Sequence, residues 1–102
     1  MAYRVVFSEG AQTDVDDLFE WIADHADVTT AQRYIRRIET YCAGFTTFSE
    51  RGTLRPDLRP GLRIIGFERR VTIAFTIKGE DVVILRVLYA GRSVELAFSD
   101  DD

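Results

Sequence analysis

The chain has 102 residues, 46% of them hydrophobic and 29% charged, enough for one compact core and too few for a second domain. Its net charge of −4 argues against a protein that coats nucleic acid electrostatically. A single cysteine, Cys42, excludes an internal disulfide and suits a reducing, cytoplasmic setting, and the absence of a run of roughly 20 apolar residues and of a basic start before an apolar core predicts neither a membrane span nor a secretory signal.

The charge is strongly polarised along the chain. Residues 1–32 carry one arginine against seven acids, and residues 33–70 carry nine arginines against four acids. Residues 71–102 carry three bases against six acids and end in Asp100, Asp101 and Asp102. Of the thirteen bases only Lys78 is not arginine. The planar fork of arginine grips carboxylate or phosphate in bidentate fashion, so the basic middle third either meets an anionic partner or forms a solvated face.

Residues 3–7 read as a short strand. Ser8 supplies a helix N-cap, with Glu9 favourable in the first turn. Ala11, Val15, Leu18, Ile22 and Ala26 then recur every three or four residues, with Phe19 widening the stripe, and predict a helix over 9–25. Asp14, Asp16, Asp17, Glu20 and Asp24 take most of its outer surface. Thr29 or Thr30 is expected to cap a second helix, with the stripe Ala31, Tyr34, Ile35, Ile38, Tyr41, Cys42, Phe45 and Phe48. A linker of about four residues favours an antiparallel hairpin, with the acids of the first helix near Arg33, Arg36 and Arg37 of the second.

Residues 49–61 form a loop punctuated by Gly52, Pro56, Pro60 and Gly61 and carrying Arg51, Arg55 and Arg59. Strands are expected over 62–67 and 69–77, the latter with Val71, Ile73, Phe75 and Ile77 on one face. A glycine turn over 78–81 leads to residues 82–89, apolar on both faces except for Arg86, as in a central covered strand. Gly91 ends it, and residues 92–98 have room for a short terminal helix. The order is β-α-α-β-β-β in a single domain over 1–102. It is an α+β fold, a helix hairpin packed on one face of a small, mostly antiparallel sheet, with the first strand against one of the last three. The expected core holds Leu18, Ile22, Ile35, Ile38, Phe45, Ile73, Phe75, Leu85 and Val87.

The residues offer little conventional catalytic chemistry. His25 and Cys42 lack the convergent partners of a metal site, and no glycine-rich loop cradles a nucleotide cofactor. Cys42 reads as a small core side chain and His25 as an exposed helix-end residue. Arg63 and Arg86 fall inside strands and Arg92 just beyond one. Each needs a carboxylate, a carbonyl or a partner, and the plain reading is internal pairing with acids such as Glu68 or Glu95.

Gly61-Leu62-Arg63, then a hairpin, then Ile84-Leu85-Arg86-Val87-Leu88-Tyr89-Ala90-Gly91-Arg92 resemble the ParE branch of the RelE/ParE toxin superfamily. Tyr3 to Ser8, Ala11, Leu18 and Ile22 are similar to that family's opening strand and helix, so the resemblance covers nearly the whole chain. It implies a bacterial type II toxin held inactive by a small antitoxin whose C-terminal segment wraps around it. ParE-like members inhibit DNA gyrase, whereas RelE-like members are ribosome-dependent mRNA endonucleases. In the RelE pattern Arg63 and Arg92 match phosphate-contacting arginines. Phe98 stands where RelE-like members carry a tyrosine, and a phenyl ring cannot exchange a proton. Tyr89 replaces a common histidine, and a phenol, titrating at about 10, is a poor base at neutral pH. The lysines of the loop before the second strand are absent, although Arg55 and Arg59 are basic there.

The resemblance therefore implies a gyrase inhibitor that acts by binding, without catalytic residues or cofactors, through Arg63, Arg86 and Arg92. The alternatives are an mRNA interferase using Arg63, Arg92 and Tyr89, and an inactive module that still binds antitoxin. The antitoxin is expected to join a DNA-binding N-terminal domain to an extended or helical tail, forming a hetero-oligomer. Trp21, Tyr34 and Tyr41 exceed what one face of a small sheet needs and would line an apolar groove for that tail. Arg55 and Arg59 would meet its acids. Neither direct nucleic-acid binding nor membrane contact is expected.

Overall fold

The computed structural model describes residues 3–89 and 91–98. Strand β1 (Arg4–Phe7) leads into helices α1 (Glu9–His25) and α2 (Val28–Ala43), followed by a 3₁₀ turn over Gly44–Thr46. Strands β2 (Thr53–Leu54), β3 (Arg63–Phe67), β4 (Val71–Lys78) and β5 (Asp81–Tyr89) precede a one-turn helix, α3 (Val94–Ala97). The acidic residues Asp100–102 lie outside the described residues. The five strands form one sheet in the order β1-β5-β4-β3-β2, with β1 parallel to β5 and the other pairs antiparallel. The predicted α+β hairpin-on-sheet arrangement holds, and β1 does lie against a late strand.

Local chemistry sets the helix ends. Ser8 Oγ accepts the Ala11 N–H at 3.1 Å and donates to the Leu85 carbonyl at 3.0 Å, so the cap of α1 also ties that helix to β5. The cap of α2 is Asp27, earlier than the expected threonines, because its carboxylate accepts the Thr30 N–H at 2.7 Å. A carboxylate also suits the positive end of the helix better than a hydroxyl does. The stripe of α2 does not run on to Phe48. The chain tightens into the 3₁₀ turn after Ala43, which buries Phe45 completely and leaves Phe48 63% exposed beneath the Arg51 guanidinium.

The sheet has one strand more than the sequence predicts. β2 lies within the expected 49–61 loop and is too short to show a period; it pairs through Thr53↔Ile64 and Leu54↔Arg63. Gly52 permits this approach. Its φ is +74°, and a Cβ there would come within 2.2 Å of the Ile64 carbonyl oxygen. Residues 68–70, partly assigned to a strand from the sequence, instead form the β3–β4 turn, with Glu68 and Arg69 at φ 52° and 62°. Without an Asn-Gly or similar pair the sequence carries no sign of that turn.

A bulge in β5 redistributes the core. Ala74 pairs with Arg86 but Phe75 pairs with Ile84, so Leu85 is an extra residue on that strand. Strict alternation placed Leu85 and Val87 together in the core. The bulge instead buries Ile84 and Val87 fully and leaves Leu85 half-buried. Ile38, Phe45, Ile73 and Phe75 are fully buried between the helices and the sheet, with Leu18 nearly so; Ile22 and Ile35 pack at its margin. Phe45 and Phe75 meet with ring centroids 4.7 Å apart.

Candidate functional site

Asp14 organises the sheet end nearest α1. The charge pattern of α1 predicts an outer position for it, yet it is only 2% exposed. Three residues beyond Ala11 and four before Leu18, it belongs to the inward stripe. β1 stops pairing with β5 at Ile84, and beyond that point the Val87 N–H donates to Asp14 Oδ2 at 2.9 Å. Arg86 closes a two-pronged pair with the same carboxylate, Nε at 2.7 Å and Nη2 at 3.0 Å. Those hydrogen bonds raise the Arg86 pKa against the opposing effect of burial. Arg92 Nη1 lies 3.9 Å from Asp14, while its guanidinium rests 4.6 Å above the Tyr89 ring. Asp14, Arg86, Tyr89 and Arg92 therefore form one cluster at the end of β5.

Arg63 is not part of that cluster. It pairs with Phe75, which pairs with Ile84, whereas Tyr89 pairs with Val71 and through it with Phe67. Arg63 thus stands two strands from β5, roughly 10 Å across the sheet, and roughly 13 Å along it from the Tyr89 row. Its Nη1 donates to the Arg51 carbonyl at 3.2 Å. Of the predicted target-binding set the structure brings Arg86 and Arg92 together and leaves Arg63 apart.

The acids expected to neutralise these arginines serve others. Glu68 receives two hydrogen bonds from Arg37, at 2.9 and 2.8 Å, and Glu95 accepts from Arg55 at 3.1 Å. Arg37 therefore reaches the β3–β4 turn and not the acids of α1. Arg55 also grips Asp57, and both acids hold its pKa above the ordinary arginine value. Arg59 lies 5.1 Å above the Phe98 ring. Arg55 and Arg59 are thus engaged with the segment around α3, and Phe98 is the floor for a guanidinium.

Trp21, Tyr34 and Tyr41 do not line a single groove. Tyr34 and Tyr41 flank Phe67, with centroids 5.9 and 5.1 Å away. Tyr41 faces a shallow groove with Arg33, Arg36 and Arg37. Trp21 and Tyr34 line a separate cavity of about 540 Å³ where the two helices join. Tyr34 Oη is buried without a hydrogen-bond partner among the described residues, and burial raises its pKa. The rim of the cavity holds Arg69 and Arg70, which the sequence does not mark as site residues because residues 69–77 pattern as one strand.

His25 is exposed, stacked on Trp21 at 4.1 Å, with Nδ1 2.8 Å from the Trp21 carbonyl oxygen. Cys42 is fully buried, and desolvation, with a smaller contribution from Glu39, pushes its pKa up to about 12. Because the thiolate is the nucleophile, Cys42 should resist alkylation at pH 8 in the native protein and react once urea unfolds it. Rapid labelling of the native protein, followed by mass spectrometry, would show that the α2 stripe is misplaced. Among the described residues no helix is long and apolar enough to cross a membrane.

Residues 5–94 match the model of the family described as ParE toxin of type II toxin-antitoxin system, parDE. Toxin ParE3 of Caulobacter vibrioides is 34% identical over 85 residues, 83% of this chain and 84% of that protein. The chromosomal ParDE TA system from P. aeruginosa contains a chain sharing the fold at a TM-score of 0.75 and 21% identity, over 86% of this chain and 96% of that one. The chain belongs to the ParE toxin family.

Proposed function

We propose that the chain acts in the cytoplasm as a toxin that inhibits DNA gyrase by occupying a surface of that enzyme, and that a cognate antitoxin neutralises it. The observation that carries the binding mode is the separation of Arg63 from Tyr89 and Arg92. A nuclease stabilises charge on one phosphoryl group with groups that converge on it, and these three do not converge. Phe98, where a proton-transferring phenol would serve a nuclease, instead supports Arg59. A binding inhibitor needs exposed anchors, and the Arg92 side chain keeps 44% of its surface in solvent while its stack on Tyr89 restrains it. Arg86, held by Asp14, and Arg63, two strands away on β3, extend the same proposed contact.

The antitoxin tail is assigned the basic groove beside Tyr41, with the separate Trp21–Tyr34 cavity on one flank and Arg33 and Arg36 as anchors for acidic residues, since Arg55 and Arg59 are already engaged around α3. An apolar strip bordered by acids complements that surface in both shape and charge.

Arg92→Ala is expected to raise the concentration needed for half-inhibition of gyrase supercoiling at least tenfold, roughly the effect of losing one interface hot spot. Its stability in urea should fall by no more than about 1 kcal/mol, the worth of an exposed cation–π contact, so the protein stays folded in the assay. Translation-dependent mRNA cleavage with supercoiling untouched would replace this reading by the interferase. Antitoxin binding without either activity would leave an inactive antitoxin-binding module.

A further inference from the structure

The cavity where α1 meets α2 has the features of a ligand site. Its volume of about 540 Å³ lies within the range of small-molecule sites. Trp21, His25, Tyr34 and Tyr89 supply aromatic walls over Leu18 and Ile22. Such a lining takes a flat ring, by stacking and by burial of its apolar faces.

The rim is cationic. Arg4, Arg37, Arg55 and Arg86 each grip a carboxylate with two nitrogens. The Arg70 N–H closes the turn onto the Phe67 carbonyl at 3.2 Å, but the side chains of Arg69 and Arg70, like those of Arg33 and Arg36, make no hydrogen bond or ion pair with any described residue, and both border the cavity. The turn that carries them is strained, since Glu68 and Arg69 both hold left-handed backbone without a glycine. Arg37 anchors Glu68 from α2, which fixes the turn against the helix and keeps the two guanidiniums at the cavity mouth.

We propose that this cavity binds a planar aromatic ring carrying a phosphomonoester, as in a 5′-mononucleotide or the 5′-phosphorylated end of a nucleic-acid strand. Two guanidiniums match a dianion better than a single carboxylate, and arginine forks fit phosphate oxygens in pairs. A zwitterionic aromatic amino acid would instead set an ammonium beside the two cations. The proposal is independent of the gyrase reading. Trp21 and Tyr34 also flank the surface assigned to the antitoxin, so the test uses the full chain free of antitoxin.

Trp21 is the only tryptophan in the chain, so its fluorescence reports on the cavity directly. Titration with AMP should give a saturable change, with adenosine and ribose 5-phosphate each binding at least tenfold more weakly, roughly the loss of one charge-assisted pair or of one stacked ring. Arg69→Gln/Arg70→Gln should reduce AMP affinity at least tenfold, leave adenosine binding unchanged and keep the melting midpoint, by the same roughly tenfold criterion. A 5′-phosphorylated tetranucleotide that binds like AMP assigns the source to a strand end, and one that is excluded assigns it to free nucleotide. The proposal is overturned by no saturable change at roughly millimolar AMP, by adenosine matching AMP, or by a double variant that binds AMP like the wild type.

Discussion

Asp14→Ala is expected to destabilise the protein by about 3 kcal/mol, the lower end of the range for a buried ion pair that loses one partner. The lower end applies because the Arg86 side chain keeps 31% of its surface in solvent and can be partly rehydrated. The loss has two sources. Arg86 is left with a desolvated guanidinium and no counter-charge, and the Val87 N–H loses its acceptor at a point where β1 no longer runs beside β5. Urea unfolding of four proteins measures it: wild type, Asp14→Ala, Arg86→Met and the double variant. The cost of Asp14→Ala should fall by more than about 1 kcal/mol in the Arg86→Met background, because the two residues act as one unit. Equal costs in both backgrounds would place the stabilisation in the Val87 hydrogen bond alone.

That carboxylate also shows where the sequence is legible and where it is not. Spacing alone gives the bounds of α1 and the hairpin, since apolar residues every three or four positions need no knowledge of partners. The Asp14 position was readable by the same rule, because an acid between Ala11, Val15 and Leu18 sits on the buried stripe and requires a cation opposite. Which cation is not local information. Arg86 is 72 residues away and reaches Asp14 because a bulge shifts the face of β5, and no periodicity announces a bulge. The same limit hid β2, whose two residues depend on the backbone approach at Gly52, and the Glu68-Arg69 turn, which adopts a conformation its residues do not prefer. The resemblance placed Arg63 and Arg92 in the family pattern; only the strand register shows that they lie far apart.

The end of α2 gives the second large effect. Phe45→Ala should cost about 3–5 kcal/mol, as expected for a large aromatic removed from a packed core, whereas Phe48→Ala should cost only about 0.5–1 kcal/mol. Both belong to the same apolar series in the sequence, three residues apart, and an α-helix continued through them would bury both. The 3₁₀ turn after Ala43 separates them. Phe45 rotates inward against Phe75 and Tyr41, and Phe48 comes to the surface, where its main contact is the Arg51 guanidinium at 5.4 Å. The Phe45 ring is also the layer between α2 and the middle of the sheet, so its loss leaves a void that neither rigid element can close. Thermal and urea unfolding of the two alanine variants would separate the alternatives without a structure. Two comparably large losses would mean that the helical pitch runs through residue 48, and that the basic loop beginning at Arg51 is held by a buried phenylalanine rather than by a guanidinium over an exposed ring.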